Sequence, residues 1–128
     1  MNGRVKTLHP KVFGGILKTN SKSDLDESKK YEIPDIDLVV VDLYPFEDTV
    51  KNSNNHEDII EKIDIGGVSL IRAAAKNYEN VVCISSKDQY DELVSILNNG
   101  CKTDIEYRKK LAYEAFQKSS DYDCKIYS

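Results

Sequence analysis

The longest aliphatic run in this chain is four residues, Leu38-Val39-Val40-Val41, set inside Asp37 to Tyr44 and closed by Pro45. A β-branched apolar run stopped by proline reads as a buried strand, with Tyr44 at its carboxyl end. A second short run, Val81 to Ile84, reads as another strand. Helical patterns lie between and after them. Gly66-Gly67 lead into Val68 to Asn77, where Ala73-Ala74-Ala75 are strong helix formers. Ser86 with Gln89 makes a capping box that opens a helix to about Asn98, stopped by Asn99-Gly100. Thr103 with Glu106 makes another, opening a helix to about Ser119. His56 to Ile63 fits a short helix and residues 50 to 56 a loop. The polar stretch 19 to 36 fits a surface loop or a partly helical excursion. Strands alternating with helices predict an α/β chain, a mostly parallel sheet flanked by helices. Two strands are few for such a sheet, so the chain is expected to be less than a whole domain.

Composition narrows the function classes. The 128 residues are one domain's worth of chain. No apolar run is long enough to span a bilayer, and Met1 to Pro10 lacks the apolar core of a signal peptide, so no membrane association is expected. Eighteen basic against 22 acidic residues give a net charge of −4, which argues against a surface built for nucleic acid. Cys83, Cys101 and Cys124 are odd in number and widely spaced, matching neither a disulfide framework nor a metal site. A reducing, cytoplasmic location is the simplest expectation.

The charge is uneven along the chain. Arg4, Lys6, Lys11, Lys18 and Lys22 precede the first acid, Asp24, and Gly3, Gly14 and Gly15 punctuate the run. It is either a solvated basic face or an anion site. Gly66-Gly67 before a helix can present backbone N–H groups at a positive helix end, or can be a plain turn. Asp64 stands just before the glycines. Arg72 and Lys76, four apart, share a helix face that is otherwise a solvated basic stripe. Tyr44 falls where ligands bind in open parallel sheets, although Tyr44-Pro45-Phe46 equally suits a structural corner. Lys6-Thr7 puts a cation beside a hydroxyl. His9 and His56 have no partner at ligand spacing, so no metal site is expected. No nucleophile elbow, phosphate-binding loop motif or dinucleotide fingerprint occurs.

Read together, the blocks resemble a known family. Gly-Arg-Val-Lys-Thr-Leu-His-Pro-Lys at 3 to 11 resembles the inosine monophosphate (IMP) cyclohydrolase domain of the bifunctional purine-biosynthesis enzyme, which also carries an aminoimidazole carboxamide ribonucleotide (AICAR) transformylase domain. The likeness continues through Gly14-Gly15-Ile16-Leu17, Asp42-Leu-Tyr-Pro-Phe46, Ile63-Asp-Ile-Gly-Gly67 and Ile71-Arg-Ala-Ala-Ala-Lys-Asn77. It ends with Leu111-Ala112, Ala115-Phe116 and Tyr122-Asp123. The blocks keep family order across the whole chain.

The resemblance implies a methylglyoxal-synthase-like fold and, without metal or cofactor, the dehydrative closure of a formylated ribotide (FAICAR) to IMP. It implies catalytic roles for Lys6, Tyr44, Asp64 and Lys76. Nucleotide contacts are implied at Arg4, Val5, Thr7, Val41, Asp42 and Ile65; Gly66, Gly67 and Arg72 are added as substrate-binding candidates from the helix end and its basic stripe. The chemistry calls for such groups. A carboxamide nitrogen must lose a proton to attack the formyl carbon, and the formyl oxygen becomes anionic before leaving as water. Lys76 and Asp64 are expected to move the proton and orient the amide. Lys6 and Tyr44 are expected to stabilise the formyl oxygen. Lysines clustered there would depress each other's pKa. These four are expected to converge.

Three departures from the family pattern stand out. Asp42 replaces a usual asparagine, and an ionised aspartate cannot donate a hydrogen bond. Phe13 replaces a common histidine. The RVKTLHP block is not N-terminal in the family, where phosphate-gripping loops precede it and the transformylase domain follows. Residues 1–128 are therefore expected to be a partial cyclohydrolase domain with its N-terminal part missing, poorly active alone and prone to associate. A homodimer is possible. The alternatives are a non-catalytic chain that binds a nucleotide or a partner chain, and methylglyoxal synthase itself, whose motifs are not these.

Overall fold

The two apolar runs pair with each other. Leu38–Val40 forms β1 and Val82–Ile84 forms β2, parallel, with Leu38 opposite Val82, Val39 opposite Cys83 and Val40 opposite Ile84. The backbone N–H of Val41 donates to Ile84 O at 2.9 Å and carries the ladder one step beyond β1. The computed structural model describes residues 4–43 and 46–127. The expected place of Tyr44 at the strand's carboxyl end lies outside the described residues. Among the described residues the sheet has these two strands.

Helices α1 (Pro10–Leu17) and α2 (Lys22–Lys30) precede β1. Between the strands run α3 (Phe46–Asn52), α4 (His56–Glu61) and α5 (Gly66–Lys76). A 3₁₀ turn, Lys87–Gln89, leads into α6 (Tyr90–Asn98), and α7 (Ile105–Tyr127) ends the chain's described part. The two-residue alternation of a strand sends side chains to opposite faces. Val39 and Cys83 pack with Ile16 of α1, Ile71 and Ala73 to Ala75 of α5, and Ala112 and Ala115 of α7. On the other face Val82, Ile84 and Leu38 meet Leu93 and Ile96 of α6 and Tyr107 and Leu111 of α7. The alanines let α5 and α7 pack backbone close to backbone.

Several sequence expectations change. Gly14 and Gly15 do not break the chain but lie inside α1, whose start is capped by His9 Nδ1 accepting from Lys11 N at 3.1 Å. A β-carbon on Gly15 would stand 2.6 Å from Pro34 O, so close approach is what requires glycine there. The stretch beginning at residue 46, unassigned from sequence, is helical, and the loop expected over 50 to 56 starts only after Asn52. Both capping boxes are altered, although Ser86 does cap: its Oγ accepts from Asp88 N at 3.3 Å at the start of the 3₁₀ turn. Gln89 Oε1 accepts from Ser85 N at 2.8 Å rather than from Ser86, and a 3₁₀ turn intervenes before α6. Asp104, not Thr103, caps α7 by accepting from Tyr107 N at 2.8 Å. Thr103 instead accepts from Arg108 Nη1 through its carbonyl at 2.8 Å and its hydroxyl at 3.0 Å. Helix α7 runs past Ser119 to Tyr127 because Ser119 and Tyr122 turn inward to neighbours.

Candidate functional site

A cavity of about 470 Å³ opens between the extended segment before α1, the carboxyl end of β1 and the N-terminus of α5. Arg4, Lys6, Thr7, Val41, Asp42, Asp64, Ile65, Gly66 and Gly67 all line it. Val5 lines an adjoining groove that it shares with Arg4, Lys6, Thr7 and Gly66. Carboxyl ends of parallel strands and helix N-termini are both places where anions and nucleotides are held.

The turn before α5 shows why its residues are what they are. Asp64 Oδ1 accepts from Val68 N at 2.8 Å, so this carboxylate caps α5 although it stands one residue ahead of the helix's formal cap, Ile65. Negative charge at that end also opposes the helix dipole favourably. A β-carbon on Gly67 would come within 2.7 Å of Asp64 Oδ2. Gly66 lies against the carbonyl of Thr7, with its virtual β-carbon 3.4 Å away, which brings α5 up to the Lys6-Thr7 segment.

Ion pairs border the cavity. Arg4 Nε meets Glu61 Oε1 at 3.3 Å, and Lys87 Nζ meets Asp42 Oδ2 at 3.4 Å. Further along the basic run, Lys18 pairs with Asp35, and Lys11 reaches Glu32 at 3.9 Å. Those two lysines therefore pair with acids away from the cavity, Lys11 exposed and Lys18 largely covered, whereas Arg4 and Lys6 line the cavity.

Lys76 and Arg72 lie elsewhere. They line a separate groove of about 750 Å³ with Phe13, Leu17, Tyr113 and Phe116, between α1, α5 and α7. The Arg72 guanidinium sits over the Phe116 ring at 5.7 Å. Lys76 is the last residue of α5, whose eleven residues span about 16 Å, while Asp64 precedes its first. Within one chain Lys6 and Asp64 share a cavity and Lys76 does not; Tyr44 lies outside the described residues.

Sequence reading missed three residues of this region. Glu61 and Lys87 supply the counter-charges to Arg4 and Asp42. Tyr122, distant in sequence, accepts from Asp64 N at 3.0 Å and donates to Lys62 O at 2.8 Å. No local pattern signals contacts of that sequence separation. Among the described residues no group of three or more potential metal ligands clusters, and no helix is long and apolar enough to cross a membrane.

The class is that of α/β proteins with a polar, cation-bearing cavity at the carboxyl edge of a parallel sheet. A family model describing the AICARFT/IMPCHase bienzyme matches residues 74–128. The chain is 55% identical over its whole length to the bifunctional purine biosynthesis protein PurH of Bacteroides thetaiotaomicron, covering 26% of that protein. It is 46% identical, again over its whole length, to the protein of the same name from Clostridioides difficile, covering 25% of it. A solved structure, the crystal structure of ForH, matches with a TM-score of 0.78 and 39% identity, over 98% of this chain and 66% of that one. The chain belongs to the AICARFT/IMPCHase bienzyme family. It spans about a quarter of the length of these curated relatives.

Proposed function

We propose that this chain serves purine biosynthesis through an IMP cyclohydrolase site, on a methylglyoxal-synthase-like fold, that closes FAICAR to IMP. The reading rests on one observation above all: nine residues from three separate sequence blocks, Arg4 with Lys6-Thr7, Val41-Asp42 and Asp64 to Gly67, line a single cavity. The names of the PurH relatives agree with it. Arg4, Lys6 and the amino end of α5 make the cavity attractive to the phosphorylated ribotide. The Asp64 carboxylate accepts hydrogen bonds only, so it suits the N–H of a substrate carboxamide and holds that nitrogen towards the formyl carbon. As the new C–N bond forms, negative charge grows on the formyl oxygen. Lys6 stabilises it, and the oxygen leaves as water, carrying off the two protons that the carboxamide nitrogen and the formamido nitrogen give up as the new C–N bond and the ring C=N bond form. The same reading places the chain in the cytoplasm, where its three free thiols stay reduced, and allows it to pair as a homodimer.

A second reading, nucleotide binding without turnover, is favoured by the position of Lys76 in the other groove. One titration separates the outcomes. IMP added to the labelled chain should shift the amide resonances of Lys6, Asp64, Gly66 and Gly67, and FAICAR should be converted to IMP. Shifts at those amides without turnover would favour the second reading. Shifts confined to the α1, α5 and α7 groove, or none at millimolar IMP, would overturn both.

A further inference from the structure

We infer that Tyr122 is a positioning residue for the cavity, acting through the backbone that carries Asp64. Its phenol reaches from α7 to the turn between α4 and α5, a separation of 58 residues from Asp64 and 60 from Lys62. There it does two things at once. The oxygen accepts the Asp64 N–H at 3.0 Å, and the hydroxyl proton goes to the Lys62 carbonyl at 2.8 Å. The turn is thereby clamped on both sides of residue 63. The clamp is itself braced: the Phe46 ring of α3 meets the Tyr122 ring edge-on, centroids 6.3 Å apart at 64°. Burial pushes the Tyr122 phenol above its ordinary range, so the hydroxyl keeps its proton and its donor function through neutral pH. From the clamped backbone the Asp64 side chain turns to Val68 N at 2.8 Å, and Gly67 leaves room for it. One hydroxyl on α7 thus ties down the backbone on either side of residue 63, from which the Asp64 carboxylate reaches the first turn of α5. For the site, the consequence rests on the nucleotide reading above.

The test is Tyr122→Phe, which keeps the ring and its Phe46 contact and deletes both hydrogen bonds, with Tyr127→Phe on the same helix as the control. Amide exchange, thermal unfolding, IMP affinity and FAICAR turnover are read on both. Tyr122→Phe is expected to speed exchange at the Asp64 amide about tenfold, the size of one net hydrogen bond. IMP affinity should fall several-fold with the midpoint of unfolding nearly unmoved, and kcat should fall more than KM rises, because Asp64 faces the reacting amide. Tyr127→Phe should change none of these. Unchanged exchange at Asp64 overturns the inference. So does a rise spread over β2 and α7 with a large drop in melting temperature, which marks a general packing role. A rise at Asp64 with wild-type affinity and turnover also overturns it. If the unaltered chain neither binds IMP nor turns over FAICAR, the functional reading fails by itself, and the exchange at Asp64 still decides whether Tyr122 clamps the turn.

Discussion

Gly67 stands directly against Asp64: a β-carbon at residue 67 would lie 2.7 Å and 2.8 Å from the two carboxylate oxygens. Because one of those oxygens also accepts from Val68 N, the glycine and the cap are parts of one device.

Replacing Gly67 by alanine should therefore displace the cap. The carboxylate must swing away and the first turn of α5 loses a partner, a cost of about 1 kcal/mol. IMP binding should weaken with it, because Asp64 no longer faces the cavity in the same way. The comparison is Gly66→Ala, whose new methyl would meet Thr7 O at an ordinary 3.4 Å. Urea unfolding of the two variants checks the contrast, and equal midpoints would refute it.

A second device holds α1 to the far end of α5. Asn77 is buried, and its Nδ2 donates to Ile16 O at 2.7 Å and Lys18 O at 2.9 Å, while its Oδ1 accepts from Asn80 at 3.0 Å. Asn77→Ala should destabilise the chain by about 2 to 3 kcal/mol, since the two carbonyls lose their donor and at least one is buried. Asn77→Asp should be worse, because an ionised carboxylate has no proton to offer and faces two carbonyl oxygens. Acidification should partly rescue the aspartate variant by restoring a donor. Denaturation at two pH values reads this order directly.

How much of this was legible beforehand differs by element. The apolar runs mark where β1 and β2 form, with β1 shorter than Asp37 to Tyr44; β2 is buried throughout, but in β1 only Val39 is buried and Val40 is exposed, so the expected buried strand is half-covered. The glycine pair at 14 and 15 misled, because its reason is tertiary: Pro34 approaches Gly15 from another segment. Capping boxes gave the right helices and the wrong partners. Ser85, Ser86, Thr103 and Asp104 are adjacent polar groups, and which one caps depends on where Gln89 and Arg108 are pulled by the rest of the fold. Gln89 Nε2, for instance, is drawn to Glu114 of α7 at 2.6 Å. The cavity was legible where its residues are contiguous in blocks. The separation of Lys76 from Asp64 was readable by helix arithmetic alone, whereas Tyr122, Glu61 and Lys87 were not readable from any local pattern.

The three thiols should behave as two kinds. Cys101 and Cys124 are exposed, whereas Cys83 is buried in β2, with Sγ 3.8 Å from Ile71 O. Burial pushes the Cys83 thiol up to about 12. Iodoacetamide at mildly alkaline pH should label Cys101 and Cys124 and leave Cys83 until the chain unfolds. The pH dependence follows in sign. Above about 9 an unfolded chain releases the Cys83 proton while the folded chain retains it, so stability falls as pH rises from there towards 12. The slope from this one group is about 1.4 kcal/mol per pH unit. Cys83→Ala removes that slope, and an unchanged alkaline profile in this variant would refute the assignment.

Asp42 carries the sharpest functional prediction. It lines the Arg4 and Lys6 cavity and also the neighbouring one that contains Ser86 and Lys87, so its charge bears on whatever anion enters. Lys87 Nζ lies 3.4 Å from its carboxylate, but both side chains are well exposed, at 72% for Lys87 and 43% for Asp42. Breaking such a pair should change stability by less than about 1 kcal/mol. Binding is a different matter. Asp42→Asn removes a negative charge from the cavity wall and supplies an amide donor, so IMP should bind several-fold more tightly. Lys87→Ala leaves the aspartate uncompensated, and IMP should bind more weakly. Both effects should shrink between low and high salt, because exposed charges are screened over about 10 Å at 0.1 M ionic strength. In the double variant the Lys87 effect should be smaller than in the single one, since its partner charge is gone. Calorimetric titration of IMP into the four chains at two salt concentrations measures all of this. Affinities within twofold of one another in every chain would mean that Asp42 and Lys87 stand outside the reach of the bound nucleotide.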